Sequence, residues 1–322
     1  MKAIRIRKYG GKEVLDYVDV ERPDCKSHEV LVKLEALGVN FIDTYQRSGL
    51  YPVSLPFIPG LEGAGTVERI GSQVTQFKPG DRVAFADVPG AYAEFVCASE
   101  SRLVRIPDAL SLENAAATML QGMTAHYLTQ STFPLKAHHT CLIHAAAGGV
   151  GLLAIQLAKA SGAYVIGTVS TEAKAELARQ AGADALVLYS RQDFEQEVMK
   201  ITEGQKVDVV YDSVGKDTFE KSLNCLKPRG MMVTFGQSSG PITAFSPLML
   251  SQRGSLYLTR TTLKDYIADR PSLETRSQDL FHRILAGKLH LRIEHKYSLK
   301  DARQAHSDLE GRKTTGKILM FP

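Results

Sequence analysis

The chain has 322 residues, a net charge of +4, and 44% hydrophobic and 23% charged residues. That is the profile of a globular chain with an ample core, at a length that suggests about two domains. Its Lys and Arg residues form no basic run, so charge alone gives no footprint for nucleic acid. The longest uncharged stretch, residues 141–158, approaches the ~18–20 residues of a membrane span, but His144 and several glycines break it.

The opening MKAIRIRKYG alternates apolar and charged residues and reads as a strand, not as a signal peptide. Through about residue 120 the chain is β-rich. EVLVKLEALGV, AGTVERIG, DRVAFAD and AYAEFVCA are short alternating segments separated by Gly, Pro and Asp turns, which predict a compact, barrel-like β domain. From about residue 122 the rhythm changes to strand, helix, strand. TCLIHA, AYVIGTV, DALVLY, VDVVYDSV, GMMVTFG and SLYLTR are apolar runs of strand length. VGLLAIQLAKASG, TEAKAELARQAG, DFEQEVMKITEG, DTFEKSLNCLKPRG and SPLMLSQRG between them read as helices, several ending in Gly. Six such runs with five crossovers predict an α/β fold with a parallel, doubly wound sheet. After about residue 264 the chain returns to mixed helix and short strand. This tail is expected to complete the first domain, with the nucleotide fold inserted.

Cys25, Cys97, Cys141 and Cys225 lie far apart and form no CxxC pair, which argues against a zinc knuckle and against a disulfide scaffold. A reducing, cytoplasmic setting is the expectation that follows.

HAAAGGVG leaves the first strand of the α/β region and opens its first helix. Ala146 fills the first glycine position of the dinucleotide fingerprint, and Gly148 and Gly151 fill the later two. Small residues there let the backbone approach a pyrophosphate, and the helix N-terminus offers free N–H groups and a positive dipole end. The alternative is a tight turn whose small residues serve strand–helix packing. It leaves unexplained why a run of consecutive small residues stands ahead of Val150. An adenosine ribose with a free 2′-OH usually meets an Asp or Glu after the second strand. Here that strand ends in Ser170 and Thr171, with Lys174 one helical turn on. Hydroxyls and a cation suit a 2′-phosphate, which points to NADPH. The competing reading makes Ser170 and Thr171 helix caps and Lys174 a solvated charge.

These stretches, with GVNFIDTYQRSGLYP (38–52), PGLEGAG (59–65), AAGGVGLLAIQLAK (146–159), VVYDSVGKDTFEKSL (209–223), MVTFGQSSG (232–240) and LYLTR (256–260), resemble the medium-chain dehydrogenase/reductase superfamily over essentially the whole chain. More narrowly they resemble its zeta-crystallin-like quinone oxidoreductase branch. The resemblance implies a GroES-like β-rich catalytic domain over residues 1–121 and 264–322 and a Rossmann NADPH-binding domain over 122–263. In the alcohol dehydrogenases of that superfamily, Cys, His and a further Cys or Asp hold catalytic zinc. The matching positions here are Asn40, Leu61 and the region of Gln121, and ADVPGAYAEF replaces the structural-zinc lobe. Leu61 cannot ligate zinc, so the resemblance implies a metal-free site in which Glu62 is a structural carboxylate. Quinones suit such a site, because a conjugated ring accepts charge without a Lewis acid.

The resemblance further implies a substrate side formed by Asn40, Asp43, Tyr45, Tyr51 and Arg260. Tyr45 and Tyr51 either stack on a flat ring or merely pack, and Arg260 is either a substrate cation or an ion-pair partner. It places cofactor contacts at Thr124, Tyr127, Gly148, Gly149, Val150, Gly151, Ser170, Lys174, Tyr189, Ser213, Phe235, Gly236, Ser238 and Leu258, with Arg312 or Lys317 approaching from the tail. His126, His138, His139 and His144 read as structural, since no nucleophile accompanies them. The expected function is NADPH-dependent quinone reduction. The alternatives are reduction of alkenals or enones and a non-catalytic NADPH-binding protein. GSLYLTR, an apolar sheet end, is the expected contact of a homodimer.

Overall fold

Asn40 stops an eleven-residue strand and starts a helix, because its extended backbone and Asp43 three residues on make a reciprocal capping box. Gly49 closes that helix in the left-handed conformation, with φ of 81°. Local signals of this kind set the element order in the computed structural model, which describes all 322 residues.

In chain order the elements are β1 (Lys2–Arg5), β2 (Asp16–Asp19), β3 (Glu29–Val39), α1 (Phe41–Ser48), β4 (Glu62–Ile70), β5 (Arg82–Ala86), β6 (Phe95–Ser99), β7 (Val104–Arg105) and α2 (Leu112–Tyr127). Then come β8 (Thr140–Ile143), α3 (Gly149–Ala160), β9 (Tyr164–Val169), α4 (Glu172–Gln180), β10 (Ala185–Leu188), α5 (Phe194–Ile201), β11 (Val207–Asp212), α6 (Phe219–Asn224), β12 (Leu226–Thr234), α7 (Leu248–Gln252), β13 (Tyr257–Arg260) and α8 (Leu263–Tyr266). The tail adds α9 (Arg270–Leu285), β14 (Ile293–Ser298), α10 (Ala302–Glu310) and β15 (Lys317–Phe321).

The chain divides into two units, residues 1–123 with 266–322, and residues 124–265. In the first, a seven-stranded sheet runs β14-β15-β3-β4-β5-β7, with β6 also paired to β3. The tail is built into this sheet: β15 lies between β14 and β3, with Ile318 opposite Val39. Alternate residues of these strands, among them Val30, Val32, Leu34, Val83, Phe85 and Ile318, form its core. Each such side chain contributes about 1.5–3 kcal/mol by leaving water.

The second unit is a six-stranded parallel sheet in the order β10-β9-β8-β11-β12-β13. The order reverses between β8 and β11, the topological switch point where doubly wound sheets hold ligands. Its central strands are apolar on both faces, with Leu142, Ile166 and Val210 on one and Cys141, Val165 and Val209 on the other, as burial under helices requires. One predicted helix is shorter than expected. DTFEKSLNCLKPRG stops helically at Asn224, and Leu226 already pairs with Val207 in the sheet. Pro228 just beyond cannot continue a helix. No helix is long and apolar enough to cross a membrane.

The cysteines depart from expectation. Cys25 and Cys97 form a disulfide with Cα atoms 5.7 Å apart, within the range such a bridge requires. The pairing is tertiary: β6 lies antiparallel to β3 and sets Cys97 opposite Leu31, near the segment that leads into β3. Sequence spacing cannot show that. Cys141 and Cys225 are free, and burial pushes both thiols well up, that of Cys225 to about 12, so both are inert at neutral pH.

Candidate active site

In the second unit the expected dinucleotide residues gather at the carboxyl ends of the strands. The turn after β8 carries Ala145 at φ 50°, and Gly148 caps α3 with extended backbone. A Cβ on Gly151 would strike the Ala145 carbonyl oxygen and lie 2.8 Å from both the carbonyl carbon and oxygen of Ala146. Those are backbone atoms that cannot swing aside. Only glycine leaves this cradle open, and the first turn of α3, with Gly149 and Val150, supplies its donors. Ala146 takes the first fingerprint position because β9 makes room for it: a Cβ on Gly167 would sit 2.8 Å from the Ala146 methyl. Sequence reasoning missed that compensation.

At the switch point, Phe235 N–H donates to the Asp212 carbonyl (2.8 Å) and Ser238 N–H to the Ser213 carbonyl (3.1 Å). A Cβ on Gly236 would lie 2.6 Å from that Ser213 oxygen. Ser213, Phe235, Gly236 and Ser238 are therefore brought together. Asp212, which sequence reasoning overlooked, organises them: its buried carboxylate accepts from Val214 N–H (2.7 Å), Gly215 N–H (3.3 Å) and the Thr218 hydroxyl (2.8 Å). Thr171 caps α4, accepting from Lys174 N–H, so its hydroxyl is used for that purpose. Ser170 and Lys174 are half-buried there, and Tyr189 after β10 is 40% exposed. Leu258 is half-buried on β13, and Arg260 is exposed at the end of that strand.

Three expected contacts lie apart from these strand ends. Tyr127 is in the core with its hydroxyl 3.1 Å from the Thr261 hydroxyl, and Thr124 is buried at the start of the same unit. Arg312 belongs to the first unit, exposed in the turn between α10 and β15. His144 is structural: Nδ1 is 2.9 Å from the Thr168 hydroxyl and Nε2 2.9 Å from the Ser222 hydroxyl. Ser222 donates onward to the Thr218 carbonyl, so its oxygen accepts from Nε2–H. Burial lowers the His144 pKa, which favours the neutral ring with Nδ1 accepting from the Thr168 hydroxyl.

In the first unit the sequence-predicted Asn40 and Asp43 meet in a buried polar network. Glu62, fully buried at the start of β4, accepts from the Lys317 ammonium, from Asn40 Nδ2 (2.9 Å) and from the Leu120 backbone N–H. Lys317, only 3% exposed, also donates to Asn40 Oδ1 at 2.9 Å, where Gln121 Nε2 adds a bond of 3.3 Å. The pair leaves no room beside it: a Cβ on Gly38 would lie 2.8 Å from the Lys317 nitrogen. Lys317 is thus spent inside the domain on Glu62 and Asn40, and the Asn40 carboxamide is engaged by Glu62, Lys317 and Gln121.

Asp43 is fully buried. Its Oδ2 accepts from Asn40 N–H and the Tyr92 hydroxyl, both at 2.8 Å. Tyr92 stands 3.1 Å from His306 Nε2, and Arg47 Nη1 stands 3.1 Å from His306 Nδ1. Arg47 forks onto Glu310 at 2.7 and 3.1 Å. An arginine only donates, so His306 is neutral with its proton on Nε2. Burial, reinforced by Arg47, pushes it down to about 3. Tyr45 and Tyr51 lie edge to face, ring centres 5.2 Å apart, with Tyr51 N–H donating to the Tyr45 carbonyl.

No group of three or more His, Cys, Asp or Glu side chains could hold a metal ion. The donor set around Glu62 does not fit zinc. Its oxygens are taken by an ammonium and two N–H donors, and Leu61 beside it is a buried aliphatic.

Residues 26–108 match the family model described as the alcohol dehydrogenase GroES-like domain, and residues 149–272 the one described as zinc-binding dehydrogenase. A quinone oxidoreductase of Pseudomonas aeruginosa is 49% identical, covering 100% of this chain and 99% of its own. A 2-haloacrylate reductase of Burkholderia is 42% identical over 98% of each. The crystal structure of Escherichia coli quinone oxidoreductase complexed with NADPH superimposes with a TM-score of 0.98 at 46% identity, covering both chains completely. The chain belongs to the zinc-free quinone oxidoreductase branch of the medium-chain dehydrogenase/reductase superfamily.

Proposed function

We propose that the protein is an NADPH-dependent quinone reductase. The observation that carries this reading is the state of Glu62. A carboxylate bound by Lys317, Asn40 and a backbone N–H cannot help hold a Lewis acid, so an unactivated ketone would find nothing to stabilise its developing alkoxide. A quinone delocalises the incoming charge itself. When bound, the reduced nicotinamide supplies the hydride. The chain's own part is to seat the pyrophosphate in the Gly148–Gly151 turn and to offer Tyr45 and Tyr51 as flat, hydroxyl-bearing faces for a ring. Arg260, Thr124, Tyr127, Tyr189, Leu258 and Arg312 keep their roles as proposals from the resemblance. A cytoplasmic setting then rests on the family resemblance, since the Cys25–Cys97 pair removes the cysteine argument for it, and the same reading makes the protein a homodimer. The support for the dimer is the β13 edge, which pairs only with β12 and leaves Tyr257 58% exposed; the solution mass checks it.

The choice of dinucleotide gives the test. Ser170 and Lys174 follow β9 where an acidic residue would otherwise meet a ribose hydroxyl. A charge-assisted hydrogen bond is worth about 1.5–3 kcal/mol, or roughly a tenfold to hundredfold preference. Dissociation constants of NADPH and NADH should differ by that factor in the wild type, and Lys174→Ala should remove most of the difference. Full preference in the variant would place the cation elsewhere, with Arg312 next in line. Equal affinities in the wild type would leave Ser170 and Lys174 without this role.

A further inference from the structure

One buried carboxyl in the first unit has no cation of its own. Glu62 has Lys317, and Glu310 has Arg47. Asp43 touches only Asn40 N–H and the Tyr92 hydroxyl, both on Oδ2, while Oδ1 has no partner at all. Charged and titratable groups surround it from every side. They are Tyr92 ahead of β6, Glu62 on β4, Lys317 on β15, His306 and Glu310 on α10, and Arg47 on α1 itself. His306 is neutral, Lys317 and Arg47 are spent on other carboxylates, and Glu62 repels a second negative charge nearby. A carboxylate here would be both unpaired and half-unsatisfied, which is costly.

We propose that Asp43 works in its protonated form, as a positioning residue that holds Asn40, and with it the start of the helix that carries Tyr45. The acid keeps Oδ2 as acceptor for Asn40 N–H and Tyr92, and its proton turns the orphan Oδ1 into a donor. Gln121 Oε1, the other buried acceptor without a partner, belongs to a residue bonded to the same Asn40 side chain. Burial above all pushes the Asp43 carboxyl up from its ordinary 3.8 to about 7. The sign follows from linkage. In the unfolded chain the group ionises near 3.8, so its contribution to stability is complete below that pH. It is lost as the pH rises through about 7. Above that, the ionised carboxylate loosens the cap of α1.

The effect on turnover rests on the quinone-reductase reading; the protonation itself does not. Infrared difference spectra of the wild type, titrated across neutral pH, should show a protonated carboxyl C=O band that disappears near pH 7 and is absent from Asp43→Asn. Quinone turnover of the wild type should fall to a lower plateau through the same pH. Asp43→Asn keeps an N–H in place of the acid's O–H and should give a rate with a flat pH profile. Tyr92→Phe removes a donor that favours the ionised form and should move the inflection upward. A wild type without the band, or an Asn variant with the inflection unchanged, overturns the assignment. The wild-type band is read without any variant having to fold. A protein that shows the titrating band but reduces no quinone overturns the functional reading alone.

Discussion

Lys317→Met should cost about 3–5 kcal/mol of folding stability, because it strands the fully buried Glu62 carboxylate without its cation. The loss is large because Glu62 ties several elements together: β4 that bears it, β15 through Lys317, α2 through the Leu120 amide and the cap of α1 through Asn40. The double variant Glu62→Gln/Lys317→Met should recover most of it, since neither residue is then a buried unpaired charge. Gly38→Ala should be destabilising for the same reason, its methyl colliding with the pair. Chemical denaturation of the three variants and the wild type measures all of this. A Lys317→Met variant within ~1 kcal/mol of wild type would show that Glu62 is not held as described.

Gly151→Ala should abolish tight dinucleotide binding while the fold survives. The added methyl meets main-chain atoms of Ala145 and Ala146, so the turn must open. Overpacking of this kind costs about 1–3 kcal/mol, and the displaced donors at the start of α3 should weaken NADPH at least roughly tenfold to hundredfold. Gly148→Ala is the control, because its Cβ would lie 3.1 Å from the Ala145 oxygen and need only a small adjustment. Dissociation constants by calorimetry separate the two. Equal binding by both variants would remove the Gly151 cradle from the cofactor site.

The alternation of the strand runs and the Gly-ended helices made the parallel, doubly wound sheet readable, because period and turn chemistry are local. The glycine turn was readable for the same reason. Why Ala146 is tolerated was not, since the answer is Gly167 on the next strand. Leu61 announced that a ligand was missing, but nothing beside it named Lys317 as the cation, because that contact spans 255 residues. Tyr92 and His306, 214 residues apart, likewise meet only after the tail joins the first sheet. The Cys25–Cys97 pairing was misjudged because β3–β6 register, not spacing, sets it. Buried polar networks join distant residues one at a time, and a single sequence carries no periodic trace of them.

The most direct measurement is loss of the reduced-nicotinamide absorbance when the purified protein and NADPH meet ortho- or para-quinones, 2-alkenals, or simple ketones in parallel. Turnover should be rapid with at least one quinone, slower with alkenals, and absent with unactivated ketones, and a strong chelator should leave it unchanged. Preferential reduction of alkenals, or chelator-sensitive reduction of simple ketones, would contradict the assignment.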